Sequence, residues 1–542
     1  MDEVGIALDI GTSGFRAQAI DLRTGDVIST AITVRHPIPG SNVIDHVNFA
    51  IEAGESECNR LMVGTINRLV RMLRVPRSHF TRMAVCGNPF QLSLFQNIEI
   101  RDLAYAGQNK LRSLGVVPPK RDGSIVTAGE LGLDIDPLAE VIIPPAVTHE
   151  IGADAMAMLW VTGAYTATSP TVIIDYGTNA EMSLICSGRI LTGSAAAGPA
   201  LEGQEIEHGM LASEGAISDI AQEGEGWRSF VLDNEFKVVK GDLVDPVNGT
   251  LLDRGPAHGR AIGITGTGVI AAVQLASRKD LVKFPRILTP DGVIRLQDGI
   301  DLCSRDLEEA GKAIGAIRAG YMTLAYEAGI SPNDIKVAYM SGASGTYVDA
   351  RKAQGIGLAP FSATEIHQVG NTSLALAKDL VAHPQLYDRL RIFSKALRAD
   401  HCMFATSEAF KAIYTIELSH WCYGMPMEMY NEMLAMASLS PVDLQARNSV
   451  IHQDVVRDIP DLGRLGIQVI QDVGVRLHCE LPGCINCQKC VESCPENALV
   501  ITGSESAKLA EIRSDLCNGT ACRRCEQACP EGVMRVKRYR YR

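Results

Sequence analysis

No stretch of this 542-residue chain approaches the ~18 uninterrupted apolar residues that a membrane-spanning helix needs. No basic segment followed by an apolar run opens it, so neither a span nor a secretory leader is expected. A Gly-x4-Gly-Lys-Ser/Thr loop is also missing, which excludes a P-loop nucleotide site. There is no excess of positive charge: the formal net charge is −12, which argues against general nucleic-acid binding. Hydrophobic residues at 46% and charged residues at 21% describe a globular chain, and its length calls for about two to four domains. Seven of the 15 cysteines (Cys58, Cys86, Cys186, Cys303, Cys402, Cys422 and Cys479) are scattered, as expected in a reducing cytoplasm.

The other eight are not scattered. Cys484-x2-Cys487-x2-Cys490-x3-Cys494-Pro495 is followed by Cys517-x4-Cys522-x2-Cys525-x3-Cys529-Pro530. Thiols this close in sequence pair poorly as disulfides but suit a compact iron–sulfur cube. In the bacterial two-cluster pattern the fourth cysteine of each run, followed by Pro, serves the other cluster. One 4Fe–4S cluster is thus expected on Cys484, Cys487, Cys490 and Cys529, and a second on Cys517, Cys522, Cys525 and Cys494. Zinc ribbons also use Cys-x2-Cys pairs, but they rarely carry the third cysteine and the trailing Cys-Pro. The second run departs from the bacterial spacing: x4 (Asn518-Gly519-Thr520-Ala521) replaces x2, so a larger loop with different exposure is expected there.

Upstream, Val4 to Ile10 reads as a strand broken by Gly11-Thr12-Ser13-Gly14. Phe15 to Asp21 returns, Thr24-Gly25-Asp26 turns, and Val27 to Val34 forms a third strand. The pattern recurs from Thr171, with Asp175, Gly177, Thr178 and Asn179 and a strand from Ala180 to Cys186. Asp9, Gly11 and Thr12 map onto Asp175, Gly177 and Thr178 at one constant offset, an internal repeat that fits two related lobes. A turn of Gly and Thr offers N–H groups and hydroxyls to phosphate oxygens. The preceding carboxylate can hold hydrated Mg2+ or orient a water. Two such hairpins would clamp the phosphates of ATP, with Asp9 and Asp175 as the catalytic carboxylates and Gly11, Thr12, Ser13, Gly177, Thr178 and Asn179 at the phosphates. A third element, the strand from Ile335 followed by Gly342-Ala343-Ser344-Gly345 and a helix, would let backbone approach a flat ligand or a phosphate.

These motifs resemble the phosphate 1, phosphate 2 and adenosine elements of the sugar kinase, heat-shock chaperone and actin superfamily. Through Gly198-Pro-Ala-Leu-Glu-Gly203, Glu207-His-Gly-Met210, Gly263 to Gly268 and Val369-Gly-Asn-Thr372 the chain is more closely similar to the reductive activators of corrinoid proteins. The resemblance implies a two-lobed α/β actin-like ATPase followed by a small α+β ferredoxin domain. The expected boundaries are 1–155 for the first lobe, 156–453 for the second lobe with a helical extension, 454–478 for a linker, and 479–542 for the ferredoxin. It also implies ATP with Mg2+ and two 4Fe–4S clusters as cofactors. The implied activity is ATP-dependent reduction of Co(II) to Co(I) on corrinoid proteins of mono-, di- and trimethylamine methyltransferases, in methanogenesis from methylamines. The expected setting is a cytoplasm, with an external low-potential electron donor. An N-terminal 2Fe–2S domain, carried by other members, is not seen in this sequence. Asp154 would face the nucleotide or cap a helix, and Lys312 and Arg318 would flank the adenine. The Met-rich stretch within 383–441 would be helical, filling a core or meeting a partner.

Alternatives are an activator of radical dehydratases or ring reductases, a non-hydrolysing electron-transfer module, and a small-molecule kinase. The radical-dehydratase type shares one cluster across a dimer, against two full motifs here. The intact Asp9, Thr12, Asp175 and Thr178 argue against the second, and the ferredoxin argues against the third.

Overall fold

The computed structural model describes residues 3–105, 108–146, 152–177, 179–203, 205–397, 399–504 and 507–541. The chain forms two compact units. The first gathers Met1–Ala157, Ser373–Leu397 and Asp461–Arg542, and the second Met158–Thr372 and Arg398–Pro460. Among the described residues no helix is long and apolar enough to cross a membrane.

The first unit is built on a seven-stranded sheet ordered Ile467–Ile470, Val27–Thr33, Phe15–Asp21, Val4–Ile10, Phe80–Gly87, Glu140–Ile143 and Ser124–Thr127. Val4–Ile10 is buried at every position, which is why it reads as an almost continuous apolar run ending in Asp9 and Ile10. Residues 454–478, expected as a linker, supply the edge strand Ile467–Ile470, which lies parallel to Val27–Thr33. Polar groups of the sheet fix its approach. The Gln18 amide donates to the Asp461 carbonyl at 2.6 Å and the Thr30 hydroxyl to the Leu462 carbonyl at 3.1 Å.

The cysteine domain belongs to this same unit. Its own sheet is ordered Leu499–Gly503, Lys508–Arg513, Arg476–Glu480 and Arg540–Tyr541. It packs on helix Val43–Ala53, where the ring of buried Phe49 lies 6.4 Å from that of buried Tyr539. Arg523 pairs with Glu52, the Tyr541 amide donates to Glu57 at 2.8 Å, and the Gly40 amide donates to the Cys517 carbonyl at 3.0 Å. The extra residues of the x4 spacing make this seam. They form the short helix Gly519–Cys522, and a Cβ on Gly519 would lie only 3.0 Å from Pro39 and 3.1 Å from Phe49.

Behind the seam two buried imidazoles stack, His36 on His46, with centroids 4.2 Å apart. Burial holds His46 down to about 4 and His36 well below the usual histidine value. Both are neutral in the folded chain and would charge more easily when unfolded. The folded state therefore binds fewer protons below pH 6.5, and stability falls as pH drops from 6.5 toward 4. His46 alone is worth about 3 kcal/mol across that window. Denaturant midpoints of nucleotide-free protein should fall between pH 7 and pH 5, and a His46→Phe variant should lose less.

The second unit repeats the first. Its seven-stranded sheet runs Ala399–His401, Arg189–Ala196, Asn179–Cys186, Thr171–Tyr176, Val337–Ser341, Glu365–Gly370 and Val450–Gln453. In both sheets the hairpin strands are antiparallel, and a parallel strand flanks the first of them on its other side. A five-stranded sheet from Ala216–Glu223 to Gly263–Ile264 is added to this unit. The stretch 383–441 holds helices Leu386–Ala396, Glu408–Trp421 and Tyr430–Met436, with Ala399–His401 joining a sheet between the first two.

Helix Ser304–Ala328 crosses the core of the second unit, and here one expectation fails. Arg318 does not flank a ligand. It is fully buried, its Nε donating to Glu417 at 2.6 Å, its guanidinium 5.3 Å from the Tyr430 ring. Tyr430 and Trp421 also donate to Glu417, so the carboxylate is satisfied on every side. The small residues around it let helix Glu408–Trp421 come close enough for this pairing. Glu417→Ala would leave a buried charge alone and should cost about 3–5 kcal/mol, read as a lowered thermal midpoint with iron content unchanged.

Candidate functional site

The first hairpin closes through a backbone bond from the Gly11 amide to the Gly14 carbonyl at 3.1 Å, which leaves Gly11, Thr12 and Ser13 partly exposed at the sheet end. Asp9 is almost fully buried, and its carboxylate lies 3.7 Å from Arg16 across the strand pair. On the parallel side Asp9 is in register with Cys86. Asp154, in the first turn of helix Ala153–Thr162, adds a second carboxylate: burial, with Asp9 adding negative charge nearby, raises it to about 6. Burial and these same two carboxylates push the Cys86 thiol well above its usual range. Two carboxylates beside a Gly-Thr turn are the donor types that suit Mg2+ with phosphate. Asn88, which the sequence reading passed over, donates to the Thr12 hydroxyl at 3.3 Å while its own oxygen caps helix Pro89–Phe95 through the Gln91 amide.

The second hairpin repeats this arrangement with other partners. Asp175 is in register with Ser341 of the neighbouring parallel strand, whose hydroxyl donates to it at 3.4 Å. Ser341 is fully buried and also bonds the Gly370 carbonyl and the Thr372 hydroxyl, each at 3.2 Å. Gly342 follows with φ +80°, and a Cβ there would stand 2.3 Å from an Asp175 oxygen. The Gly342–Gly345 turn thus closes directly against the carboxylate. It is pinned by the Ser344 hydroxyl donating to Leu201 at 3.0 Å and by the Gln368 amide reaching the Gly345 carbonyl at 2.8 Å. Gly177 is partly exposed at the turn, Asn179 opens the returning strand, and Ala343 lies in the short helix Gly342–Tyr347. Thr178 lies outside the described residues. Thr372 belongs to one of the motifs that carry the resemblance, but its pairing with Ser341, and that of Ser341 with Asp175, depends on a strand register joining positions far apart in the chain.

The eight cysteines fall into two groups. Cys484, Cys487, Cys490 and Cys529 line one apolar pocket with Leu481 and Met534. Burial would raise the Cys529 thiol, but N–H groups from Glu531 to Met534 outweigh it and hold the thiol below its usual range, toward the ligating thiolate. Burial pushes the Cys517 thiol up to about 12, and Cys525, Cys494 and Cys522 crowd it further. Crowded thiols of this kind are stabilised when cations neutralise them. Amide N–H groups reach the sulfurs of Cys484, Cys494 and Cys517 at 3.3–3.4 Å, the donors that tune iron–sulfur centres. The donor set therefore fits two cubane clusters with crossed fourth ligands.

Family models place the same parts along the chain. The RACo middle region matches residues 4–167, the C-terminal domain of RACo (the ASKHA domain) matches 169–431, and a 4Fe-4S dicluster domain matches 483–533. The chain is 48% identical over 520 residues to the Co(II) methylated amine-specific corrinoid protein reductase of Methanosarcina barkeri, covering 95% of both. It is 23% identical over 402 residues to the corrinoid activation enzyme RamQ of Eubacterium limosum, covering 68% of this chain and 62% of that one. Among solved structures, a reductive activator for corrinoid, iron-sulfur protein shares the fold at TM-score 0.62 and 23% identity, over 76% of this chain and 65% of that chain.

Proposed function

Because this chain belongs to the family of the corrinoid-protein reductive activators, we propose that it uses ATP to return inactive Co(II) corrinoid proteins of methylamine methyltransferases to Co(I). It is an ATP-dependent oxidoreductase with an actin-like ATPase fold and a two-cluster ferredoxin domain. The observation that carries the reading is the placement of the cysteine domain in the same compact unit as the first Asp-x-Gly-Thr hairpin. The first phosphate hairpin and the electron-carrying cysteines are then parts of one body.

The 4Fe–4S clusters supply one-electron transfer at low potential. The chain's own residues do the rest. Asp9 and Asp175 orient water and Mg2+ at the phosphates, and Gly11, Thr12, Ser13, Gly177, Thr178 and Asn179 offer N–H groups and hydroxyls to them. Gly342, Ala343, Ser344 and Gly345 present backbone to the nucleoside. Cys484, Cys487, Cys490 and Cys529 hold one cluster, and Cys517, Cys522, Cys525 and Cys494 the other. Shifting an unfavourable equilibrium from 1:99 to 99:1 needs about 5.5 kcal/mol. For one electron that is a gap of about 240 mV, at ~59 mV per decade. A nucleotide-driven change of state can supply it by favouring the state in which cobalt is more easily reduced. Corrinoid proteins of the mono-, di- and trimethylamine pathways are the proposed partners, with a low-potential donor feeding the clusters.

Mixing the anaerobic protein with Co(II) corrinoid protein, Mg-ATP and a reductant tests this by the cobalt spectrum. Co(I) should accumulate only with ATP. No Co(I), or the same Co(I) without ATP, would overturn the reading.

A further inference from the structure

The loop joining strand Val27–Thr33 to helix Val43–Ala53 touches the first hairpin at one end and a cluster cysteine at the other, within one compact unit. At the hairpin end, Thr12 accepts from Asn88 at 3.3 Å, Asn88 holds the Gln91 amide at 2.9 Å, and the Gln91 side chain bonds His46 Nδ1 at 3.0 Å. Phe15, the first residue after the hairpin, meets the His36 ring edge-on at 5.1 Å, and His36 stacks on His46. At the cysteine end, the Gly40 amide donates to the Cys517 carbonyl at 3.0 Å, and Pro39 packs on Gly519, whose amide donates to Cys517 Sγ at 3.3 Å. Gly40 has φ +123°, and a Cβ there would collide with Asp45 at 2.4 Å, so this turn has little room to move apart from its helix.

We propose that Gln91 and His46 are positioning residues that tie the state of the Thr12 hairpin to the surroundings of Cys517. The inference rests on the ATP-dependent reading above. The Thr12 hydroxyl is now bonded to Asn88. When its O–H turns to donate to a phosphate oxygen, the lone pair that meets Asn88 is re-aimed with it, and Asn88, with the helix start it caps, shifts to follow. Gln91 is on the first turn of that helix and carries the shift to His46, and the stacked imidazoles carry it into the 36–46 loop. The loop bears on Gly519, whose N–H···S bond is one of the determinants of a cluster's reduction potential. Nucleotide thus has different contacts in two arrangements of one connected element, which is what lets it bias the element at all. Gln91 and His46 are fully buried.

The test uses the full protein with both clusters, reduced with dithionite, with and without a non-hydrolysable ATP analogue and Mg2+. In the unaltered protein the analogue should change the cluster EPR spectrum and the amide exchange of 36–46 and 516–520. Gln91→Met and His46→Phe keep the volume and remove the bond. With eight irons and ATP hydrolysis retained, each should lose the nucleotide-induced spectral change and at least tenfold of ATP-dependent Co(I) formation. Loss of cobalt reduction alone would fit a merely structural role; loss of the spectral response would not. Absence of any nucleotide effect on the unaltered protein, or its persistence in either folded variant, overturns the proposal. If neither variant folds, the exchange data on the unaltered protein decide. Failure of the unaltered protein to hydrolyse ATP would instead strike at the function itself.

Discussion

Asp175→Ala is expected to lower Mg-dependent ATP hydrolysis by about 10²–10⁴-fold while leaving all eight irons in place. The carboxylate sits at the end of strand Thr171–Tyr176, in register with Ser341 and closed over by Gly342. Its removal should not unfold the sheet, because Ser341 keeps its bonds to Gly370 and Thr372. The loss would therefore be chemical. Gly342→Ala offers an independent check: its Cβ would stand 2.3 Å from Asp175 in a left-handed turn, displacing the carboxylate without deleting it. It should approach the same loss. Asp9→Ala should behave as Asp175→Ala does, since Asp9 takes the same place beside Cys86 in the repeated sheet. Parental hydrolysis in both aspartate variants would remove the hairpins from the mechanism.

The second large effect separates the two cysteine groups. Cys529→Ser should remove the cluster shared with Cys484, Cys487 and Cys490, not the one held by its sequence neighbours Cys522 and Cys525. Iron should fall from eight to about four, and the remaining signal should match that left by Cys487→Ser. Cys494→Ser should instead match Cys525→Ser. Both should abolish cobalt reduction while ATP binding survives. If Cys529→Ser and Cys525→Ser lose the same cluster, the ligands are not crossed.

Some of this was legible from residue types alone. The cysteine spacing pointed to two 4Fe–4S centres, in keeping with the dicluster domain matched over 483–533, and the repeat of Asp-x-Gly-Thr foretold two sheets of one topology. The resemblance these motifs carried led to the family that the relatives support. Registers were not legible. Ser341 meets Asp175 only because two parallel strands align, and Arg318 meets Glu417 only because two helices pack closely. A charged residue on an Ala- and Gly-rich helix looks like a ligand contact until its counter-charge is found. The x4 spacing signalled that something differed near Cys517, but its meaning lay in Pro39 and Phe49, more than 450 positions earlier.

The edge strand of the first unit has a consequence for synthesis. Val27–Thr33 is covered by Ile467–Ile470, so this side of the sheet stays open until the ribosome has made some 430 further residues. At about 5–20 residues per second that is roughly 20–90 s during which a row of unpaired amides and carbonyls is available to other chains. The same late segment brings the cysteines. The nascent chain thus closes this edge and acquires its metal-binding cysteines in the same last stretch of synthesis.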